Sequence, residues 1–390
     1  MEKSVSVEAT GKSRRKTRGG FIQKGKMDIG FFALVSILLT CGLLMLFSAS
    51  YAYALAYFNN SYHFIVRQLV FAVIGFVCML AASRINCHIY RRFAWVIYGV
   101  SVALLILLLA LPPMLPSTEQ KRWLVIGSFS FQPSEIAKFS IILLFSHLIA
   151  KNYKKMKTFK YGVLTLGALL GVVCGLVVVE THLSATILIF LIGITLMIIG
   201  GIKAIYILVG AGVGIGGAAI AIFSGVVGYA SDRLTYWLNP WADATGKGYQ
   251  TIQSLLAIGS GGVMGRGFGE SRQKYLWVPE PHNDFIFSIV CEELGLIGAV
   301  AIILLFCALV WRGFYIAMKA PDKFSALMAV GLTFQVGLQA VLNILVVTNT
   351  LPNTGISLPF FSYGGTALVL LLTQMGIVLS ISRSANVEKT

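Results

Sequence analysis

Ten apolar runs divide this chain, and each is long enough to cross a lipid bilayer, which needs about 20 apolar residues. The runs lie at about 29–50, 64–83, 92–113, 134–150, 161–179, 183–202, 204–226, 284–311, 325–347 and 363–382. Apolar residues make up 57% of the chain and charged residues 12%. Soluble domains have roughly 45–50% apolar and about 25% charged residues. The sequence therefore predicts an all-α polytopic membrane protein with about ten transmembrane helices.

The basic residues lie mainly on one side of this predicted arrangement. If the N-terminus is cytoplasmic, 22 of the 31 Lys and Arg residues fall in the two tails and the inner loops, and seven fall in the outer loops. The positive-inside rule favours this orientation, with both termini in the cytoplasm. The net charge of +16 is then explained by membrane orientation, so we expect no nucleic-acid partner.

Three regions are predicted along the chain. Residues 1–27 carry eight Lys and Arg residues among many Ser, Thr and Gly, which predicts a disordered basic cytoplasmic tail. Residues 28–384 form the membrane domain, which includes a large outer loop at 227–283 between the seventh and eighth helices. Residues 385–390 form a short cytoplasmic tail. Polar loops of this length over a membrane bundle usually carry function.

Acidic residues gather where the large outer loop enters the eighth apolar run. Five of the 15 in the chain are found there: Glu270, Glu280, Asp284, Glu292 and Glu293. A carboxylate at a membrane boundary is costly unless it is paired or faces water, so it indicates a functional site. Asp284, at the mouth of the run, is the first candidate for the chemistry, as a base or as a ligand of a divalent cation. The structural alternative is an Asp that caps a helix N-terminus.

Other charged side chains lie within or near the predicted spans. Glu135 and Lys138 open the fourth run three residues apart, so they share a helical face and can pair. Such a pair either faces a cavity or is a neutralised structural pair. Arg67, Arg122 and Arg233 are predicted within reach of the outer side, where guanidinium groups bind phosphate well. For each Arg, snorkelling to the membrane surface is the alternative.

The last outer loop, residues 349–366, contains two Pro and three Gly among polar residues and therefore cannot form a regular helix. Irregular backbone at membrane depth is tolerated only against protein or a water-filled cavity. We predict that this loop forms a cavity wall. Its candidate substrate-binding residues are Ser362, Gly364 and Gly365.

Three motifs in this order resemble one known family. They are Arg122-Trp-Leu with Phe131-Gln-Pro-Ser-Glu-Ile-Ala-Lys138, then Pro281-His-Asn-Asp-Phe-Ile-Phe287 with Glu292-Glu-Leu-Gly295, and finally Leu351-Pro with Ser362-Tyr-Gly-Gly365. They closely resemble the SEDS family of bacterial shape, elongation, division and sporulation proteins, whose members include FtsW, RodA and SpoVE. The resemblance covers nearly the whole chain after the basic tail. The long tail and the last outer loop are most similar to FtsW, and RodA-like or SpoVE-like roles stay open.

The resemblance implies a peptidoglycan glycosyltransferase that polymerises lipid II on the outer face of the bacterial cytoplasmic membrane. The implied partners are a class B penicillin-binding protein and other divisome or elongasome membrane proteins. The family's essential Asp falls on Asp284, its cavity ion pair on Glu135 and Lys138, and the Arg of its second span on Arg67. Glu180 stands in a turn where the family pattern differs, so it receives no role.

The implied reaction is an inverting glycosyl transfer, which needs one base and no covalent intermediate. Asp284 is the expected base, and a divalent cation (Mg²⁺ or Mn²⁺) at Asp284 is the one cofactor considered. The Cys and His residues show no metal-ligand spacing. The alternative function is a lipid II flippase. A transporter needs a path that reaches both faces, and the charged residues gather on the outer side, which favours the enzyme.

Overall fold

The computed structural model describes residues 25–111, 122–126, 129–203, 205–206, 210 and 235–385. Within these ranges the helices, in chain order, are α1 (Ile29–Phe58), α2 (His63–Arg84), α3 (Cys87–Arg92), α4 (Ala94–Ala110), α5 (Pro133–Asn152), α6 (Thr165–Val179), α7 (Leu183–Ile199), α8 (Tyr249–Gly261), α9 (Ile286–Met318), α10 (Lys323–Val347) and α11 (Gly365–Ser384). A short antiparallel hairpin, β1 (Leu124–Ile126) and β2 (Phe129–Phe131), precedes α5. A π-helical turn (Phe159–Leu164) leads into α6.

The predicted all-α membrane fold is confirmed. Seven helical segments of the described ranges are long and apolar enough to cross a membrane, and α4 and α7 are shorter apolar helices. Together they correspond to nine of the ten predicted runs. The predicted seventh run, 204–226, lies almost wholly outside the described residues. The chain is therefore a multi-pass helical membrane protein.

Local signals explain where several helices begin and end. The Asp28 side chain accepts a hydrogen bond from the Phe31 backbone N–H at 2.8 Å and caps α1. Asp322 caps α10 in the same way. Pro133 stands in the first turn of α5, where its missing N–H costs nothing. The first helix continues to Phe58, past the predicted end near residue 50, and stops at Asn59, whose φ of +51° ends the helix.

Helix α5 lies at the centre of the bundle against α4, α7 and α10. Five consecutive side chains, Ile141 to Phe145, have no exposed surface. Small residues allow close packing elsewhere: a Cβ at Gly75 of α2 would meet Leu372 of α11, and one at Gly376 would meet Met79. The segment before α1 contacts the end of α11, since Arg383 donates to the Gly25 carbonyl at 2.7 Å.

The predicted eighth run corresponds to α9, and this helix is interrupted at Gly295, a break that the sequence did not reveal. This residue has φ +65° and ψ −168°, a conformation that glycine adopts readily. Two backbone N–H groups of the large outer loop, from Arg266 and Gly267, donate to the carbonyls of Glu292 and Glu293 at 3.0 Å each. The loop thus satisfies carbonyls that the helix break leaves free.

The acidic cluster predicted at this boundary separates into two sites. Glu292 and Glu293 are buried and anchor the large outer loop, since Glu292 accepts from Ser271 at 2.5 Å and Glu293 pairs with Lys274 at 3.1 Å. Buried carboxylates need such partners, and removing one leaves a costly unpaired charge. The same loop contains α8. Glu292 and Glu293 are therefore structural in this fold.

Candidate functional site

A cavity of about 480 Å³ lies at the end of the bundle where α11 begins. Five helices enclose it: α2, α5, α7, α10 and α11. The rest of its wall is formed by β2 and by three irregular segments, which are the residues before β1, the residues before α9 and the last outer loop. Eight of the nine predicted site residues line it: Arg67, Arg122, Glu135, Lys138, Asp284, Ser362, Gly364 and Gly365. The ninth, Arg233, lies outside the described residues. The fold thus gathers residues that are far apart in the sequence.

Asp284 lies in the turn before α9, partly exposed to the cavity. It does not cap the helix, because the N-cap is Phe285 and no side chain bonds there. Within the described ranges no Lys, Arg or His pairs with its carboxylate. A Cβ added to Gly355 would lie 3.2 Å from Asp284 Oδ2, and Gly355 has φ +73°. Glycine at this position leaves room beside the carboxylate.

The electrostatic surroundings of Asp284 favour a proton acceptor near neutral pH. Burial, and to a smaller extent the neighbouring Glu280, raise the pKa of its carboxyl to about 6. Arg122 acts in the opposite direction and lowers this pKa. Asp284 is therefore ionised at pH 7 and more basic than an ordinary Asp, which suits general base catalysis.

The predicted pairing of Glu135 and Lys138 is confirmed, with Lys138 Nζ 2.7 Å from Glu135 Oε1. The Lys138 side chain is only 2% exposed, and its Nζ also donates to Gln339 Oε1 at 3.3 Å. Gln339 in turn donates to the Ser357 carbonyl at 3.0 Å. The pair is thereby tied to the last outer loop. It faces the cavity and is buried beneath it.

The two arginines of the cavity differ in their surroundings. Arg67 on α2 is exposed and has no ion-pair partner among the residues that the structure describes. Arg122 donates from Nη2 to the Thr181 carbonyl at 2.5 Å, which fixes its guanidinium beside the cavity. Arg67 is therefore the cation most available to an anionic ligand, and Arg122 is held in place.

The last outer loop forms a cavity wall, as we predicted. The Ser362 hydroxyl donates to the Asn283 carbonyl at 2.8 Å and accepts from the Leu358 backbone N–H at 2.7 Å. The Gly364 N–H donates to Gln68 at 3.2 Å, and a Cβ at Gly365 would collide with a neighbouring ring. The hydrogen bonds of Ser362 and Gly364 thus stabilise the cavity wall. Substrate binding by Ser362, Gly364 and Gly365 stays a prediction.

Several cavity residues escaped the sequence-based search. They include Glu280, Asn283, His182, Gln132 and Gln339. His182 approaches Ser134 at 3.5 Å beneath the hairpin. For Gln339 a signal existed, since an amide inside an apolar run indicates an interior position. Glu280 was counted with the acidic cluster but was not assigned to the site.

The family model of FtsW, RodA and SpoVE proteins, described as "Cell cycle protein", matches residues 29–387. Stage V sporulation protein E of Bacillus subtilis (strain 168) is 36% identical over 362 residues, which cover 93% of this chain and 98% of that protein. A protein named "Probable peptidoglycan glycosyltransferase FtsW" from Geobacter sulfurreducens is 38% identical over 354 residues, with 90% and 93% coverage.

Solved structures agree with these relatives. One chain from a study of how a peptidoglycan synthase complex coordinates polymerization and crosslinking superposes with a TM-score of 0.72 at 26% identity. The match covers 92% of this chain and 98% of that one. The rod shape determining protein RodA of Thermus thermophilus superposes with a TM-score of 0.67 at 25% identity, with 93% and 98% coverage.

Proposed function

This chain belongs to the FtsW, RodA and SpoVE family, and we propose that it is a peptidoglycan glycosyltransferase that polymerises lipid II. The observation that carries the proposal is the cavity whose wall contains Asp284 together with the exposed Arg67 and the fixed Arg122. A base and two cations are what a glycosyl transfer from a pyrophosphate-linked sugar requires. Named relatives at 36–38% identity add support.

The geometry suggests how the reaction would proceed. The acceptor hydroxyl of one lipid II attacks the anomeric carbon of another, and its proton passes to Asp284. The bond between that carbon and the pyrophosphate oxygen breaks, and the electron pair leaves with undecaprenyl pyrophosphate. Arg67 and Arg122 stabilise the charge that develops on the leaving group. The reaction inverts the anomeric centre because a single displacement occurs.

A divalent cation fits this site only in a limited way. Within the described ranges no three His, Cys, Asp or Glu side chains form a metal cluster. Among the residues that the structure describes, the charged side chains of the cavity wall are Arg67, Arg122 and Lys138 against Glu135, Glu280 and Asp284, and these six add up to no net charge. A pyrophosphate would then remain partly unneutralised. Mg²⁺ usually binds through one or two carboxylates and substrate phosphates, so we propose that Asp284 supplies one ligand of an Mg²⁺ or Mn²⁺ ion.

We place the cavity at the outer face of the bacterial cytoplasmic membrane, with both termini in the cytoplasm. Two facts support this orientation. Basic residues are in excess in the predicted inner loops. Gly25 and Arg383 are in contact at the end of α11 that does not line the cavity. Lipid tails would then stay in the bilayer while the sugars enter the cavity. A class B penicillin-binding protein and other division or elongation proteins are the proposed partners.

A lipid II flippase is the second candidate function. A flippase needs a route to both membrane faces, yet the lining residues of α11 all lie between Gly365 and Leu371, in its first half. The described part of the cavity therefore favours the enzyme.

The test is a polymerisation assay with the purified protein, its penicillin-binding partner, labelled lipid II and a divalent cation. We expect glycan ladders that diminish when a chelator removes the cation. If a folded, partnered preparation forms no ladders, the glycosyltransferase proposal fails, and lipid II flipping in reconstituted vesicles would then test the second function.

The pH dependence of the rate should follow Asp284. Without a bound cation the pKa of Asp284 is about 6, so the ionised fraction, and with it the rate, should fall about tenfold between pH 7 and pH 5 when Asp284 acts as the free base. A cation bound to Asp284 would keep the carboxyl ionised and flatten this profile. Loss of folding stability would not explain this fall in rate. The pKa of Asp284 is higher in the folded protein than in the unfolded chain, so this group stabilises the fold at low pH, and that contribution is lost as the pH rises through 6. Initial rates at fixed cation concentration measure the profile.

The variant Glu280→Gln provides the control for this profile. It removes the neighbouring negative charge that raises the Asp284 pKa, so the acidic limb should move to lower pH. A wild-type rate that is the same at pH 5 and pH 7 would exclude Asp284 as the titrating base.

A further inference from the structure

Three consecutive carbonyls of the segment that carries Asp284 are all bound by later parts of the chain. The His282 carbonyl accepts from the Tyr363 N–H at 2.8 Å, and the Asn283 carbonyl accepts from the Ser362 hydroxyl at 2.8 Å. The Asp284 carbonyl accepts from Asn343 Nδ2 at 2.7 Å. The backbone that positions the carboxylate is therefore held by α10 and the last outer loop.

Asn343 on α10 has a special place in this arrangement. Its Nδ2 also donates to the Ile356 carbonyl at 2.6 Å, so one amide nitrogen joins the Asp284 segment to the last outer loop. Both partners are carbonyl oxygens, which identifies the atom between them as the donating nitrogen. The side chain has no exposed surface and does not line the cavity. It bridges two cavity-lining segments from behind.

We propose that Asn343 is a positioning residue that sets the distance between Asp284 and the last outer loop. The proposal rests on the glycosyltransferase function above. Gly355 lies one residue before Ile356 and stands beside the Asp284 carboxylate, so the bridge fixes the space in which an acceptor hydroxyl must lie. Catalytic geometry tolerates little error, because a displacement of about 1 Å can lower a rate by roughly 100-fold.

A positioning role and a purely structural role of Asn343 predict changes in different measured quantities. Arg67 and Arg122, the expected phosphate contacts, have no hydrogen bond to Asn343 among the described residues. Loss of the bridge should therefore lower kcat and leave KM for lipid II nearly unchanged. A general loss of stability would reduce the amount of active protein and would show in the thermal unfolding of the purified variant.

The test compares Asn343→Leu, which removes both donated hydrogen bonds at similar volume, with Asn343→Ser, which keeps one hydroxyl donor and adds no atoms. The matched control is Ser254→Ala. Ser254 is fully buried and donates to the Val347 carbonyl at the end of the same helix at 2.9 Å, away from the cavity. Initial rates over a range of lipid II concentrations and melting temperatures are measured for all three and for the wild type.

We expect kcat to fall about 100-fold in Asn343→Leu and less in Asn343→Ser, with KM within about twofold of the wild type. Ser254→Ala should keep the wild-type kcat even if its melting temperature falls. Because Asn343→Ser introduces no overpacking, it serves as the test if Asn343→Leu does not fold. A wild-type kcat in the folded Asn343 variants, or an equal loss of kcat in Ser254→Ala, would overturn the proposal. If the wild type forms no ladders under these conditions, the proposed function itself fails instead.

Discussion

Asp284→Asn should abolish lipid II polymerisation while the protein stays folded and partnered. Asparagine has nearly the same shape but cannot take the proton of the acceptor hydroxyl at neutral pH. General base catalysis contributes roughly 10²–10⁴-fold, and the rate should fall by at least that factor. The bond from Asn343 reaches the backbone carbonyl of residue 284, so the substitution leaves the bridge intact. Initial rates from glycan ladders measure the effect.

The matched control for this variant is Glu270→Gln. Glu270 belongs to the same acidic cluster in the sequence, but it is exposed and does not line the cavity. It should therefore keep the wild-type rate. Unfolding curves and co-purification with the penicillin-binding partner show whether each variant is intact. Turnover by Asp284→Asn at the wild-type rate would remove Asp284 from the mechanism.

The second large effect is expected at the buried ion pair. Lys138→Met leaves Glu135, whose side chain is 17% exposed, without its cation. Breaking a buried pair by removing one partner costs about 3–5 kcal/mol, so the melting temperature should fall clearly. The rate should fall by roughly 100-fold or more as well, because a fixed positive charge disappears from the cavity.

The double variant Glu135→Gln/Lys138→Met distinguishes the two roles of this pair. Replacing both charges by neutral groups of similar size is often nearly neutral for stability, so most of the lost melting temperature should return. The rate should stay low if the pair acts on the substrate, and this is the result we expect. If stability and rate both return, the pair is a neutralised structural pair. Thermal unfolding and ladder assays on the same preparations give both numbers.

Local rules explain how much of this site could be read from the sequence. Glu135 and Lys138 were predicted to pair from their spacing alone, since residues three apart meet on one helical face. Asp284 was selected because a carboxylate at a membrane boundary is energetically costly unless it is paired or faces water. Neither argument needs knowledge of another segment. The family resemblance added that Glu135 and Lys138 match a cavity ion pair and that Asp284 matches the family's essential Asp.

Contacts between distant segments account for features that the sequence did not predict. The break at Gly295 depends on backbone groups of the large outer loop, about 30 residues earlier, that bond the freed carbonyls. Glu292 and Glu293 were counted in one acidic cluster with Asp284, and their partners in the large outer loop could not be predicted from the sequence. Only the folded structure shows that Lys274 and neighbouring residues of the outer loop bind these two carboxylates.

What the sequence by itself determined is the membrane architecture, because apolar length and helical hydrogen bonding are properties of each segment alone. What only the tertiary structure decided is the geometry around Asp284. Asn343 lies 59 residues away, inside an apolar run whose pattern marks it as interior but names no partner. A buried amide must donate to something, and which carbonyls it meets depends on how α10, the segment before α9 and the last outer loop pack together.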